Sequence, residues 1–269
     1  MSKRDTYPAG VPCWVETLQG DEQAATAFYT GLFGWELSGP GPMPDGGEYY
    51  VATVDGRDVA GIGSSPGSPA EASAEWMTFV AVEHLEPTVT RAVDAGGAVV
   101  VSPTEAPPVG SLAAVTDPGG ATIGLWQAQT RQGAQLVNQP GAWAMSVLHC
   151  ADAEAAAAFY GHTFGWVCES FGPPDAGMWL WRLPGYVGGE PQQPVPRDVV
   201  GVMASAAEGP DEPPRWSVDF WVSDTDAAAT RATELGGSVP MAPHDAPGFR
   251  RAVVADPHGA EFSISQLVP

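Results

Sequence analysis

The strongest constraint on this chain is a phrase that it uses twice. Ala27-Phe28-Tyr29-Thr30-Gly31-Leu32-Phe33-Gly34-Trp35 returns as Ala158-Phe159-Tyr160-Gly161-His162-Thr163-Phe164-Gly165-Trp166, with Phe28 and Phe159 131 positions apart. A second match sets Glu75-Trp76-Met77-Thr78-Phe79-Val80 against Arg215-Trp216-Ser217-Val218-Asp219-Phe220, each followed by a run that stops at a Gly-Gly pair, Gly96-Gly97 and Gly236-Gly237. A third sets Thr116-Asp117-Pro118-Gly119-Gly120 against Ala255-Asp256-Pro257-His258-Gly259. Matches in the same order at nearly constant spacing mean a duplicated unit, so the chain must fold as two similar halves. Gln127 to Gln135 is polar and aperiodic, which reads as a connection between them. The expected division is an N-terminal tail over 1–10, a first domain over 11–129, a linker over 130–141 and a second domain over 142–269.

Within each half the apolar period switches between that of a strand and that of a helix. Residues 13–18 alternate as a strand. Asp21 can then cap a helix carrying Ala24, Ala27, Phe28 and Leu32 on one face, with Gly34 as its stop. Residues 49–54 and 58–63 read as strands joined by Asp55-Gly56-Arg57, and Asp-Gly is a strong hairpin signal. The plan then repeats: strand from Trp76, helix over 86–95, strand over 98–101, and a hairpin around Asp117-Pro118-Gly119-Gly120. Each half is thus a βαβββ module performed twice. The predicted fold is α+β, with four tandem βαβββ modules forming two cupped, partly open mixed β-barrels and helices outside.

Composition narrows the partners. A hydrophobic share of 44% with 16% charged residues describes a globular chain, and the polar start Met1-Ser2-Lys3-Arg4-Asp5 leads into no apolar signal core, so a cytoplasmic protein is expected. Asp and Glu number 32 against 11 Lys and Arg, a formal charge of −21, which disfavours nucleic acid and anionic membrane and favours cationic ligands. Cys13, Cys150 and Cys168 are odd in number and lack Cys-x-x-Cys spacing, so they read as reduced, buried thiols.

The phrase Phe-Tyr-x-x-x-Phe-Gly-Trp, the Gly-Gly helix stop and the Asp-Pro-x-Gly hairpin together resemble the glyoxalase/bleomycin-resistance type of the vicinal-oxygen-chelate superfamily, in its two-domain actinomycete form. The resemblance covers nearly the whole chain, twice. It implies a divalent ion held by inward side chains, usually His or Glu from the first strand of a module and Glu from the last, acting as a Lewis acid with open coordination positions. Carried onto this sequence, those positions fall on Glu16, Trp76 and Gly124 in the first half, and on Met145 or Val147, Trp216 and Ser263 in the second. Only Glu16 is of ligand type. His149, His162, His244 and His258 sit elsewhere, so neither metal nor other cofactor is expected.

Ten tryptophans remain to be placed, and strand parity points several of them into the cups. Trp14, Trp76 and Trp126 in the first half, and Trp143 and Trp216 with Met145 in the second, are predicted to line a slot for a flat ligand. Phe249 and Arg250 are candidate rim contacts in the second half. Glu16 and His244 are the candidate acid–base residues. Three readings follow in order. The first is metal-independent binding of a small planar aromatic or cationic metabolite or antibiotic, for sequestration, self-resistance or delivery. The second is a cofactor-independent isomerase, cyclase or lyase acting on a carbonyl-bearing natural product. The third is a metal-dependent glyoxalase or dioxygenase. A monomer with two cups is expected, a dimer being the alternative.

Overall fold

The repeated phrases mark where elements start, stop and meet. A computed structural model of the chain describes residues 2–43, 46–64, 74–173, 176–188, 196–205 and 213–268. After a short β1 (Ser2–Lys3), the first half runs β2 (Pro12–Gln19), α1 (Glu22–Phe33), β3 (Glu36–Pro42), β4 (Glu48–Val54) and β5 (Arg57–Ser64). It continues with β6 (Trp76–Ala81), α2 (Leu85–Asp94), β7 (Ala98–Ala106), β8 (Gly110–Thr116) and β9 (Thr122–Ala128). A two-residue β10 (Leu136–Val137) pairs with β1. The second half repeats the order as β11 (Trp143–Cys150), α3 (Ala153–Phe164), β12 (Val167–Ser170), β13 (Met178–Arg182) and β14 (Val199–Ser205). Then follow β15 (Arg215–Trp221), α4 (Thr225–Glu234), β16 (Ser238–Ala246), β17 (Phe249–Ala255) and β18 (Glu261–Leu267).

Each half makes one curled eight-stranded mixed sheet, in the orders β3-β4-β5-β2-β6-β9-β8-β7 and β12-β13-β14-β11-β15-β18-β17-β16. The two modules of a half meet at an antiparallel seam, β2 with β6 and β11 with β15, while β2/β5, β6/β9, β11/β14 and β15/β18 run parallel. The helices begin and end as their sequences require. The Asp21 and Asp152 carboxylates cap α1 and α3, and Gly34 (φ 69) and Gly165 (φ 75) close them in the left-handed conformation. Among the described residues no helix is long and apolar enough to cross a membrane.

The backs of the two sheets meet, and the frame residues of one half are completed by the other. The Tyr29 hydroxyl on α1 donates to Asp256 Oδ2 (2.9 Å) in the second half, and Tyr160 on α3 donates to Asp117 Oδ2 (3.0 Å) in the first. Each phenol also accepts from an indole of its partner strand, Trp76 Nε1 (3.0 Å) or Trp216 Nε1 (2.8 Å). The other carboxylate oxygen of Asp117 accepts from the backbone N–H of Gly119, Gly120 and Ala121, so one side chain folds the hairpin turn and binds the opposite half. The neighbouring aromatic is exchanged as well. A Cβ on Gly97 would stand 2.4 Å from the Thr116 carbonyl and 2.7 Å from the Phe159 ring, and one on Gly237 2.4 Å from the Ala255 carbonyl and 2.7 Å from Phe28, so the second glycine of each Gly-Gly pair clears its own sheet and a ring of the other half together.

The segments predicted as tail and linker are tied into this seam. Tyr7 donates to the Ala134 carbonyl (2.6 Å), Trp166 Nε1 to the Gly10 carbonyl (2.6 Å) and Trp35 Nε1 to the Gly141 carbonyl (2.7 Å). Cys13 and Cys150 are buried free thiols, and burial pushes Cys150 up to about 11.

The two phenols are not equally backed up. Asp256 Oδ2 also accepts from Gln19 Nε2 (2.8 Å), whereas Asp117 Oδ2 has Tyr160 as its one partner among the described residues. Tyr160→Phe should therefore destabilise by ~2–3 kcal/mol and Tyr29→Phe by ~1–2 kcal/mol, the difference being a carboxylate oxygen left without a donor. Urea denaturation of both variants checks the order, and equal losses would contradict it.

Candidate functional site

The concave face of the first sheet holds a cavity of about 710 Å³. On β2, Trp14 and Glu16 point into it. Phe79 of β6, Tyr49 of β4, Leu112 of β8 and Trp126 of β9 complete its floor and walls. The polar groups form a relay: Trp14 Nε1 donates to the Tyr49 hydroxyl (2.8 Å), which donates to Glu16 Oε2 (2.6 Å). Room for that relay comes from Gly61 on β5, where a Cβ would overlap the Tyr49 hydroxyl at 1.9 Å. Burial raises the Glu16 carboxyl above the usual carboxylate range against the opposing hydrogen bonds from Tyr49 and Trp14, so the protonated form is favoured there more than in water. The connecting segment closes one wall. Trp126 Nε1 donates to the Arg131 carbonyl (2.9 Å), and the Arg131 guanidinium lies 5.7 Å from the centre of the Trp14 ring, 3.7 Å from the Asp58 carboxylate.

Trp14, Glu16 and Trp126 thus come together in one cup, and the remaining expected residues do not join them. Trp76 and Trp216 are a correction. Trp76 lies opposite Thr17 and Trp216 opposite Leu148, on the faces that turn toward the other half, where both are buried against Tyr29 or Tyr160. The cup-facing neighbours are one residue further along, Met77 opposite Glu16 and Ser217 opposite Val147. Trp143 is displaced for a related reason. The register shifts between Trp143 and Met145, so Trp143 packs in the core with its Nε1 on Ser146 Oγ (3.2 Å), while Met145 holds the place of Trp14. Trp143 and Met145 also border a small cavity of about 60 Å³ beside Tyr7. Arg250 is a third correction: it turns to the helix side, bonded to Asp226 and to Asp245 (2.9 Å). His244 is exposed on the other sheet, its Nδ1 3.1 Å from the Ala242 carbonyl, and cannot serve the first cavity. Phe249 packs against Trp221 (ring centres 6.0 Å apart) at the rim of the second cup.

Four residues named for the site escaped the sequence reading: Tyr49, Phe79, Leu112 and Arg131. The signal for Tyr49 was the Gly61-Ile62-Gly63 spacing, which clears space on the strand facing it.

The donor set for a metal is incomplete here. Beside Glu16 the first cup offers Met77 and Gly124. A Cβ on Gly124 would meet the Phe79 ring at 2.4 Å, so an aromatic ring fills the space from which a ligand side chain would extend. The matching positions of the second cup are Val147, Ser217 and Ser263, and among the described residues no group of three His, Cys, Asp or Glu could hold an ion.

Residues 14–125 match the model of the Glyoxalase/Bleomycin resistance protein/Dioxygenase superfamily, and residues 145–265 match that of the Glyoxalase-like domain. A protein of Mycobacterium tuberculosis provisionally named glyoxylase CFP32 is 36% identical over 274 residues, covering 100% of this chain and 99% of its own. The chain belongs to the glyoxalase/bleomycin resistance/dioxygenase superfamily. Within this superfamily it is also 32% identical to the anthracycline biosynthesis protein DnrV of Streptomyces peucetius, over 97% of this chain and 94% of the relative. Its fold is that of a Mn(II)-bound glyoxalase from Novosphingobium aromaticivorans (TM-score 0.64, 15% identity, 99% of this chain and 83% of that one). The 2,3-dioxygenase LapB of Pseudomonas sp. KL28 superposes similarly (TM-score 0.63, 14% identity, 96% of this chain and 93% of that one).

The raised Glu16 carboxyl makes a signed prediction. A folded-state value above the unfolded one means that the folded protein holds the proton more tightly. Its contribution to stability is then present below the unfolded carboxylate range and is lost as pH rises through the folded value. Glu16→Gln keeps an acceptor for Tyr49 and removes this loss. The variant should be more stable than the parent at pH 8, with the gap closing on acidification below pH ~4. Denaturation midpoints at several pH values check this; a gap that widens in acid would refute the assignment.

Proposed function

We propose that the protein binds a planar aromatic small molecule in its first cup without a metal, for sequestration, self-resistance or delivery. The observation that carries this reading is the replacement of a ligand set by an aromatic box: Phe79 lies over Gly124, Trp14 and Trp126 line the cavity, and Glu16 is engaged by Tyr49. Such a cavity offers large flat contact areas and few polar groups, Glu16 with Tyr49 together with Glu105 and Arg131, the pattern of a small-molecule site that orients its ligand by few hydrogen bonds. The anchor suits a phenol or quinone oxygen, since Glu16 donates when protonated and accepts when ionised while Tyr49 keeps its own proton. Arg131 over Trp14 is balanced by Asp58 and by Glu105 on the cavity wall, so neither sign of charge dominates and a neutral ring system fits the cup. The relative named for anthracycline biosynthesis adds support for a fused-ring polyketide as the ligand class.

A second reading is favoured by one observation, a carboxyl with raised proton affinity facing the cavity. It makes the cup a cofactor-independent isomerase, cyclase or lyase in which Glu16 moves a proton at a carbon next to a carbonyl.

Titration of the protein with hydroxyanthraquinones, read by tryptophan fluorescence, tests the first reading. Quenching should saturate, and Trp14→Ala and Trp126→Ala should each weaken binding about 5- to 10-fold, as expected from losing ~1 kcal/mol or more of ring contact. Absence of saturable quenching across such a panel would sink it. Mass spectrometry of the same mixtures separates the second reading: a product formed by the parent and absent with Glu16→Gln indicates turnover.

A further inference from the structure

The duplication allows the two cups to be compared position by position, and their floors differ in chemistry at three matched places. Phe79, Leu112 and Trp126 of the first cup correspond through the strand pairings to Asp219, Arg251 and Ser265 of the second. Those three form a connected group. Ser265 Oγ donates to Asp219 Oδ1 (2.6 Å), Arg251 Nε donates to Ser265 Oγ (3.2 Å), and Arg251 Nη2 lies 3.8 Å from Asp219 Oδ1. The fold of the other half does without it, because the first cup fills the same places with apolar side chains, and an ion pair with one partly exposed partner adds little stability.

The group is also only half used. The Arg251 side chain keeps 34% of its surface, and among the described residues its Nη1 has no hydrogen-bond partner and Asp219 Oδ2 accepts no hydrogen bond. Beside them the half-buried Trp221 and Phe249 rings form an apolar shelf, and half-buried Ser217 lies on the same face.

From this we infer that the second cup is a separate binding site for a neutral polyhydroxylated molecule, a sugar or the sugar portion of a larger compound. An anchored carboxylate next to an anchored guanidinium presents an acceptor and a donor side by side, which matches adjacent hydroxyl groups that both give and take hydrogen bonds. A carboxylate ligand drawn to Arg251 would meet Asp219, and a cation drawn to Asp219 would meet Arg251, so neither charge is favoured. The Trp221 shelf suits the C–H face of a sugar ring. This reading does not depend on what occupies the first cup.

Saturation-transfer NMR on the full chain with glucose, galactose and rhamnose, and separately with acetate and succinate, tests the inference. At least one neutral sugar should give signals, at least 10-fold weaker in affinity for Asp219→Asn and Arg251→Met and unchanged for Trp14→Ala. Ser265→Ala, which breaks only the bridge, provides a milder variant should either charge substitution impair folding, and should weaken binding in the same direction. No signal from any of the sugars, or signals indifferent to Asp219, Arg251 and Ser265, would overturn the proposal. So would a preference for the carboxylates that strengthens in Asp219→Asn.

Discussion

The structure depends on a hydrogen bond made twice, from the tyrosine of one half to the aspartate of the other. Tyr29 with Asp256 and Tyr160 with Asp117 do more than join surfaces. Each aspartate also folds the turn that feeds the last strand of its own half, and each tyrosine also holds the indole of Trp76 or Trp216 on the seam strand. Burial and the facing carboxylate keep both phenols protonated, hence donors, across the accessible pH range. The last strand and the seam strand lie side by side in the sheet, so the same contact that docks the halves also sets two adjacent strands near the middle of each cup.

This explains which residues persist between the copies. The tyrosine, the aspartate, the indole and the second glycine of each Gly-Gly pair serve the back of the sheets, where every change is felt by both halves. The concave faces carry no such obligation. There the copies have diverged: Glu16, Tyr49 and Phe79 stand in one cup, and Val147, Met178 and Asp219 at the corresponding places in the other. Dense packing on one side of each strand and latitude on the other is the general condition under which a fold can host unrelated sites.

The architecture was legible because strand and helix periods, capping aspartates and hairpin turns are local signals. Two βαβββ modules per half, with helices ended by Gly34 and Gly165, follow from them directly. The site was legible on two strands, β2 with Trp14 and Glu16 and β9 with Trp126. Trp14 and Glu16 share parity on β2 and need no further information. Trp76, Trp216 and Arg250 each lie one residue away from the cup-facing position, because which face of a strand turns to the cup is set by tertiary packing that no local pattern encodes. Their pairing is uninterrupted, so only the face that each strand turns to the cup was unknown; Trp143 alone was displaced by a bulge. Arg131 was hidden for a different reason: it belongs to a connection whose docking over Trp14 is a long-range event.

Because the sheets meet back to back, the two cups open on opposite sides of the molecule. If the cups bind as proposed, a compound that carries both a flat ring system and a sugar could not occupy both sites of one chain unless it were long enough to wrap around the body of the protein. With the second site of the same chain out of reach, the effective concentration for closing on one chain is near zero, and the two ends would be engaged by different protein molecules. For a small conjugate, occupancy of the two sites would thus be a property of the solution, governed by protein and ligand concentration together, with each chain acting as a two-ended connector.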